Sequence, residues 1–340
     1  MTDYLPILRS RAAELRGLRE LSPTNLKKLF PVVELTRSRR TPKNTGGDVR
    51  KSVELVCEIL KDQPFVADLT SLESLQNSDF DKLLNDEEGF KAWVDFAHAN
   101  LPEHCIPTVH LLEPFESQPF QIQVGRLREK FKRIAVRIPT FYRDFPNFVV
   151  ALQALHDFKD VVLILDAGFI SKTTIGGAAA RLVEMLQSVA HIGLNHLSVA
   201  SSSFPNSVVS AGGKDDTGEF RLLEVDLGDW CRGQFPNIAY GDYAVIHPMD
   251  FKGTVTNWVP RVDIMLDDKF YYYRYRRSDG GYIRAAGEAR NDVRYVPLDC
   301  WAHRNIESAA AGNPPGRSPS FWIASRVNFH LARQIGRLGL

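Results

Sequence analysis

Eight short apolar runs punctuate the first 245 residues of this chain, and helical stretches separate most of them. The runs are YLPIL (4–8), FPVVEL (30–35), PFVADL (64–69), CIPTVHL (105–111), RIAVRIP (133–139), DVVLILDAG (160–168), NHLSVASS (195–202) and NIAYGDYAV (237–245). Between them, DVRKSVELVCEILKD (48–62) places Val49, Val53, Val56, Ile59 and Leu60 on one side of a helix. FVVALQALHDF (148–158) and TIGGAAARLVEMLQSVAHI (174–192) have the same spacing, near 3.6 residues. Two connections are weaker: residues 12–29 make a short helix and a Ser-Pro turn, and residues 204–236 are of mixed character. Eight strand–helix repeats in about 250 residues predict a TIM-like (β/α)8 barrel. The runs are continuously apolar, as expected when helices cover the outside of a parallel sheet. The rival, a doubly wound open sheet, normally carries a glycine-rich phosphate turn after its first strand, and ILRSRAAEL has no glycine there.

After residue 250 the pattern changes. RVDIML (261–266), KFYYYRYRR (269–277) and GYIRAAGE (281–288) read as strands, the last two joined by SDGG, a hairpin signal. A short helix near 300–311, a Pro/Gly turn and a closing helix, SFWIASRVNFHLARQIGRL (320–338), complete the chain. The expected organisation is a barrel core over 1–250, a β-hairpin insertion over 251–300, and C-terminal helices over 301–340 that finish the outer ring.

Charge excludes some classes of function. Lysine and arginine number 42 against 41 acidic residues, so blanket attraction to nucleic acid or membrane is not expected, although a local patch is allowed. No apolar run approaches the 18 or so residues of a membrane span. MTDYLPILRSR lacks the basic start and long apolar middle of a signal peptide. The four cysteines, Cys57, Cys105, Cys231 and Cys300, are scattered without CxxC spacing. A cytoplasmic chain with reduced thiols and no membrane partner is the expectation.

The opening stretch resembles the start of the phage beta-protein family. The resemblance rests on an apolar strand running into Arg9 and Arg11 with Glu14 nearby, then the PVVEL strand with Glu34. The LDAG and YGDY elements are compatible with it. It implies a prokaryotic or phage intracellular protein, in a family some of whose members are thought to lie near anti-phage genes. It brings no catalytic residue with it.

In a barrel, residues at the carboxyl ends of the strands surround one cavity, and chemistry is placed there. Those ends supply Arg9 and Arg11, Glu34, Asp68, His110, Arg137, Asp166, Ser201, and Asp242 beside Tyr240 and Tyr243. Glu34, Asp68 and Asp166 are hard oxygen donors suited to Mg2+ or Mn2+. Arg9, Arg11 and Arg137 suit a phosphate, with Ser201 and Tyr240 as further ligand contacts. His110, the one imidazole at a strand end, suits proton transfer, and Asp242 is the second catalytic candidate. The plainer reading of each residue is a solvent-facing polar group or a structural ion pair. The set as a whole points to a cavity for an anionic or nucleotide-like ligand, its most concrete form a metal-assisted phosphodiester hydrolase in phage defence or phage biology. The alternative is a non-catalytic ligand sensor or an interaction module. For the latter, KFYYYRYRR mixes rings and guanidinium groups and suits single-stranded nucleic acid or a protein partner through 269–277. The loop SAGGKDDTGEF (210–220) reads as surface, with a lid as the functional alternative.

Overall fold

A computed structural model describes residues 3–250 and 258–340. The strands, in chain order, are β1 (Tyr4–Arg9), β2 (Val32–Leu35), β3 (Val66–Leu69), β4 (Ile106–Pro107), β5 (Ala135–Pro139), β6 (Val162–Phe169), β7 (His196–Ser202), β8 (Thr217–Arg221), β9 (Ala239–Asp242), β10 (Arg261–Met265) and β11 (Lys269–Arg274). Helices α1 (Ala12–Arg19), α2 (Pro23–Leu26), α3 (Val49–Leu60), α4 (Ser78–Leu83), α5 (Glu87–Asn100) and α6 (Ser117–Arg128) cover the first half. In the second half lie α7 (Phe145–Gln153), α8 (Ile175–Ala190), α9 (Leu223–Gln234), α10 (Gly281–Asn291), α11 (Trp301–Ala310) and α12 (Pro319–Arg337).

All eight apolar runs become parallel strands of one sheet, in the order β4-β3-β2-β1-β9-β7-β6-β5. The two ends of that order meet: Thr108 bridges Ala135 in parallel, and the Val109 N–H donates to the Ala135 carbonyl at 2.8 Å. The sheet is therefore the wall of an eight-stranded α/β barrel, as the repeat predicts.

Period-two alternation sorts the strand residues into two sets. Leu5, Ile7, Val32, Val66, Ile106, Ala135, Val162, Ile164, Ala200, Ala239 and Tyr243 form a cluster of their own, to which all eight barrel strands contribute. This is the lumen. Their neighbours Tyr4, Leu8, Val33, Ala67, Val136, Leu163, Val199 and Tyr240 belong to the larger cluster between barrel and helices.

The second sheet departs from expectation. It is antiparallel, in the order β10-β11-β8. The hairpin joins β10 to β11 through residues 266–268, not β11 to residues 281–288. Residues 281–288 are instead the start of α10, with Gly280 at φ 95° and Gly281 at φ 53° turning the chain into it. Tyr282, Ala285, Ala286 and Ala289 share one face of α10 and are buried. That helical spacing outweighs the turn signal of SDGG. The third strand, β8, comes from the segment read as a surface loop, and Thr217–Arg221 pairs along β11. The insertion thus draws on two barrel loops, those after β7 and β9. Residues 251–257 of the expected insertion lie outside the described residues.

The closing helix α12 is the post between barrel and insertion. The Ser318 hydroxyl accepts the Phe321 N–H at 3.2 Å, and Pro319 occupies the first turn, a strong N-terminus. Its buried polar residues are all bonded outward. Asn328 donates to the Gly17 carbonyl at 3.0 Å and accepts the Ala302 N–H at 3.1 Å. Gln334 donates to the Asp267 carbonyl at 2.9 Å, in the β10–β11 turn. A Cβ on Gly17 would sit 2.7 Å from Val327 Cγ1, so glycine there lets α1 and α12 touch.

Candidate functional site at the barrel mouth

Lumen residues at the carboxyl ends of five strands carry charge. Register sets them at one level: Arg9 pairs Glu34 across β1 and β2, and Glu34 pairs Asp68 across β2 and β3. From the far wall Arg137 reaches across the lumen. Its Nη1 donates to Glu34 Oε1 at 2.7 Å and to Asp68 Oδ2 at 3.0 Å. Its Nε and Nη2 hold Asp166 Oδ2 at 2.8 and 2.7 Å, and Nη2 also donates to the Tyr243 hydroxyl at 2.6 Å. Tyr243 in turn donates to Asp166 Oδ2 at 2.5 Å. Burial opposes the Arg137 charge, but Tyr243 and the three carboxylates around it win and hold its pKa well above the ordinary value. Arg9 sits beside this hub, 3.3 Å from Glu34 through Nε and 2.8 Å from the His247 carbonyl through Nη2.

The three residues expected to bind metal therefore do converge, but on a guanidinium. Arg137 fills the centre that a cation would need, and Thr108 and two backbone N–H groups take further oxygens of Asp68 and Asp166. Among the described residues no group of three or more His, Cys, Asp or Glu side chains is disposed to hold a metal ion. The donor set does not fit Mg2+ or Mn2+.

Other expectations are displaced by one step of the strand period. Asp242, Tyr240 and Ser201 alternate with lumen residues, so they face the helices rather than the mouth. Asp242 is fully buried against α12. It accepts hydrogen bonds from the Tyr4 hydroxyl, at 3.1 Å, and from the Ala244 N–H, at 2.8 Å, and pairs with His330 Nε2 at 2.7 Å. Burial pushes its carboxyl up, but His330 and these hydrogen bonds outweigh that and hold it below the ordinary range. Tyr240 stacks on Tyr4, and Arg337 of α12 lies 4.6 Å from its ring. Ser201 is buried on the same outer side. None of the three meets the mouth. His110 also falls outside the hub: its ring packs against Phe90 and Trp93 of α5 at 5.5 and 5.4 Å, and burial lowers its pKa.

Just past β9, Ala244 and Val245 both take left-handed backbone, φ 46° and 55°. A β-branched residue there costs of order 1–3 kcal/mol. The strain falls immediately after Tyr243, in the turn that carries the His247 carbonyl to Arg9.

Above the hub lies a cleft of about 1000 Å3, walled by the β1–α1 turn, the loop after β7, the antiparallel sheet and the start of α12. Arg9, Arg11, Arg261, Arg274 and Arg326 line it, with Glu14, Asp215 and Asp250. Arg274 pairs with Asp215. Arg261 and Arg326 share a single carboxylate, Asp263, at 2.9 and 3.2 Å. Arg326 is buried, its Nε has no hydrogen-bond partner among the described residues, and its guanidinium lies over the Phe204 ring at 4.4 Å. Burial, aided by Arg261, pulls its pKa down to about 10 against Asp263. Arg11 is exposed at the cleft edge and has no ion-pair partner among the described residues. Glu14 is buried, with Oε2 held by the Arg9 N–H at 2.6 Å, and burial raises its pKa to about 7 against the pull of Arg9.

The strand-end rule finds Arg9, Glu34, Asp68, Arg137 and Asp166. It does not reach Arg261, Asp263 or Arg326, which come from the insertion and the last helix. Glu14 and Tyr243 stood in the quoted motifs, Glu14 beside the first strand and Tyr243 in YGDY, without an assigned role.

A family model described as "Beta protein" matches residues 4–336. Protein beta of Enterobacteria phage P4 is 31% identical over 337 residues, covering 98% of this chain and 93% of that protein. Among solved structures, a chitinase from Chromobacterium violaceum ATCC 12472 aligns over 98% of this chain and 99% of its own at 12% identity. Its TM-score of 0.33 is too low to carry an argument. Matched over nearly its whole length by the family model and by the phage relative, the chain belongs to the beta protein family.

Proposed function

We propose that the cleft binds a phosphate-bearing or nucleotide-like anion, gripped by Arg11 and Arg326 and backed by Arg261. One observation carries this reading: Arg326 is buried in the cleft wall beside a second guanidinium, with one carboxylate between the two and a donor that has no acceptor among the described residues. Burying an incompletely paired charge is costly unless something completes it, and a phosphate supplies both the charge and forked acceptors. The Arg137 hub is the rigid floor under that ligand and holds Arg9 in place through Glu34. Metal-assisted hydrolysis is not part of the proposal, because Arg137 occupies the carboxylate centre. The phage relative makes phage biology the natural setting in which to look for the ligand.

Titration calorimetry with inorganic phosphate, adenosine monophosphate and adenosine triphosphate, each with and without Mg2+, tests the reading. A hydrogen bond to a charged group contributes about 1.5–3 kcal/mol, so Arg326→Met and Arg11→Ala should each weaken binding roughly 10- to 100-fold. Absence of binding by every probe, or unchanged affinity in both variants, would overturn it.

A second reading, turnover of the bound ligand, is favoured by Glu14. A buried carboxyl in the cleft wall with a pKa of about 7 is placed for general acid–base work near neutral pH. Incubation of the protein with each phosphate probe, compared with Glu14→Gln, tests it; equal rates in both would exclude that role.

A further inference from the structure

The loop between β2 and α3 carries charge of one sign only. Residues 36–47, TRSRRTPKNTGG, contain Arg37, Arg39, Arg40 and Lys43 and no carboxylate, in a chain whose charges nearly balance over its whole length. None of these four cations takes part in an ion pair among the described residues, and Arg39, Arg40 and Lys43 are exposed. The loop is nonetheless firmly built. The Thr41 and Asn44 backbones exchange hydrogen bonds at 2.9 and 3.0 Å, and Ser38 and Asp48 close its base. Gly47, at φ 77°, lies where a Cβ would meet the Ser38 carbonyl at 2.6 Å.

This loop is fixed to the cleft wall. The Arg37 N–H donates to the Leu75 carbonyl at 2.9 Å. Its guanidinium donates to the Gln76 and Ser74 carbonyls at 3.0 Å each. Ser74 and Leu75 line the mouth cleft, as does Arg11. Burial, then Arg40 and Arg11, depress the Arg37 pKa. Both neighbours act on the Arg37 guanidinium, while the Asp250 carboxylate bonds Ser74 on the same wall of the cleft. Exposed cations without an ion pair among the described residues therefore stand on a built loop that Arg37 bonds to the cleft wall, with Arg11 at the cleft edge.

We propose that these cations guide the backbone of a single-stranded nucleic acid into the mouth cleft, so that the phosphate-bearing ligand of the cleft is the terminal nucleotide of a strand. The inference rests on the anion-binding reading of the cleft and adds the class of ligand. Successive phosphates are the anions whose spacing suits successive guanidinium groups along a strip. A single strand can thread into a cleft whose volume suits a small molecule, and a duplex is too wide. An anionic membrane fits less well, because the loop carries no large apolar side chain to insert beside its charges. In the aromatic ladder at 269–277, Phe270, Tyr271 and Tyr272 are buried and offer no ring face to a base.

The test is fluorescence anisotropy with a labelled twelve-residue oligothymidylate, beside calorimetry with thymidine monophosphate, on wild type and on Arg39→Ala/Arg40→Ala/Lys43→Ala. These surface substitutions leave the packed core untouched, and a melt checks that. The oligonucleotide is expected to bind at least tenfold more tightly than the mononucleotide at low salt. The triple variant should lose most of that advantage, keep mononucleotide binding, and flatten the slope of log affinity against log salt by about 2, at about 0.7 per lost contact. If the mononucleotide binds and the oligonucleotide binds no tighter, the inference fails and the cleft reading stands. If neither binds, the cleft reading fails and takes the inference with it. An unchanged salt slope in the triple variant removes the loop from the site. Capture by phosphatidylserine vesicles that the oligonucleotide does not compete away would assign the strip to a membrane and overturn the proposal.

Discussion

Replacing Arg137 with methionine removes the guanidinium while keeping much of the aliphatic stem. Five short contacts go with it, to Glu34, Asp68, Tyr243 and twice to Asp166. Glu34 keeps Arg9, but Asp68 and Asp166 lose the one ion pair each has among the described residues and retain hydrogen bonds. Stranding one partner of a buried ion pair costs about 3–5 kcal/mol. The three side chains are at most 11% exposed, so solvent relieves little of that cost. The losses share one centre and do not add, so about 4 kcal/mol is expected in all. At a urea dependence of about 3 kcal/mol per molar, the midpoint should fall by roughly 1 M at pH 7. The deficit should also depend on pH in a definite direction. Carboxylates left facing one another take up protons more readily than in the unfolded chain, so the variant regains stability relative to wild type as pH falls toward 4. Adding Asp68→Asn to Arg137→Met should restore part of the midpoint. Urea titrations followed by tryptophan fluorescence at pH 7 and pH 4.5 read all of this. A midpoint within 0.3 M (roughly 1 kcal/mol) of wild type at pH 7, or a deficit that does not shrink in acid, would show that the hub is not the electrostatic centre of the mouth.

Glu14 carries a second pH effect of known sign. Its raised pKa means that its stabilisation is complete below the ordinary carboxylate value of 4.5 and is lost as pH rises through about 7. Glu14→Gln should therefore match wild type at pH 4.5 and exceed it at pH 8, by at most about 3 kcal/mol; an equal melting temperature at pH 8 would contradict this. Asp242 works in the opposite direction: its depressed pKa gives stability that is present above the ordinary carboxylate value and is lost as pH falls through its own. His330→Leu strands Asp242 and should cost about 3–5 kcal/mol at pH 7, with the difference narrowing in acid denaturation. Gly17→Ala places a methyl 2.8 Å from the Ala324 carbonyl and should destabilise the α1–α12 contact by about 1–3 kcal/mol, read as a lower urea midpoint.

The barrel was legible because each of its strands is buried on both faces, which leaves an apolar run that no surface strand would show. The charged level was legible for the same reason: Glu34, Asp68 and Asp166 are breaks at the carboxyl ends of otherwise apolar runs. What failed was the side of the strand. One residue separates Tyr243, in the lumen, from Asp242, which is bonded to His330 beneath α12. YGDY places aspartate and tyrosine side by side with nothing local to say which turns inward. The metal reading failed because the lumen holds cations as well as carboxylates, and Arg137 is long enough to reach all three acids. The cationic wall was illegible, since Arg261 and Arg326 lie 65 residues apart and meet only when α12 packs on β10. In the insertion, GYIRAAGE carries two readings at once. The spacing of Tyr282, Ala285, Ala286 and Ala289 belongs to a helix, and α10 packs against β10 and β11.

The central claim, that the mouth cleft is an anion site, is tested most directly by crystals soaked in tungstate, a phosphate mimic whose anomalous signal marks its position without ambiguity. The account predicts a peak in the cleft within hydrogen-bonding distance of Arg326, reaching toward Arg11, and loss of that peak in Arg326→Met. A cleft without tungstate at concentrations that label other arginines on the surface would contradict it.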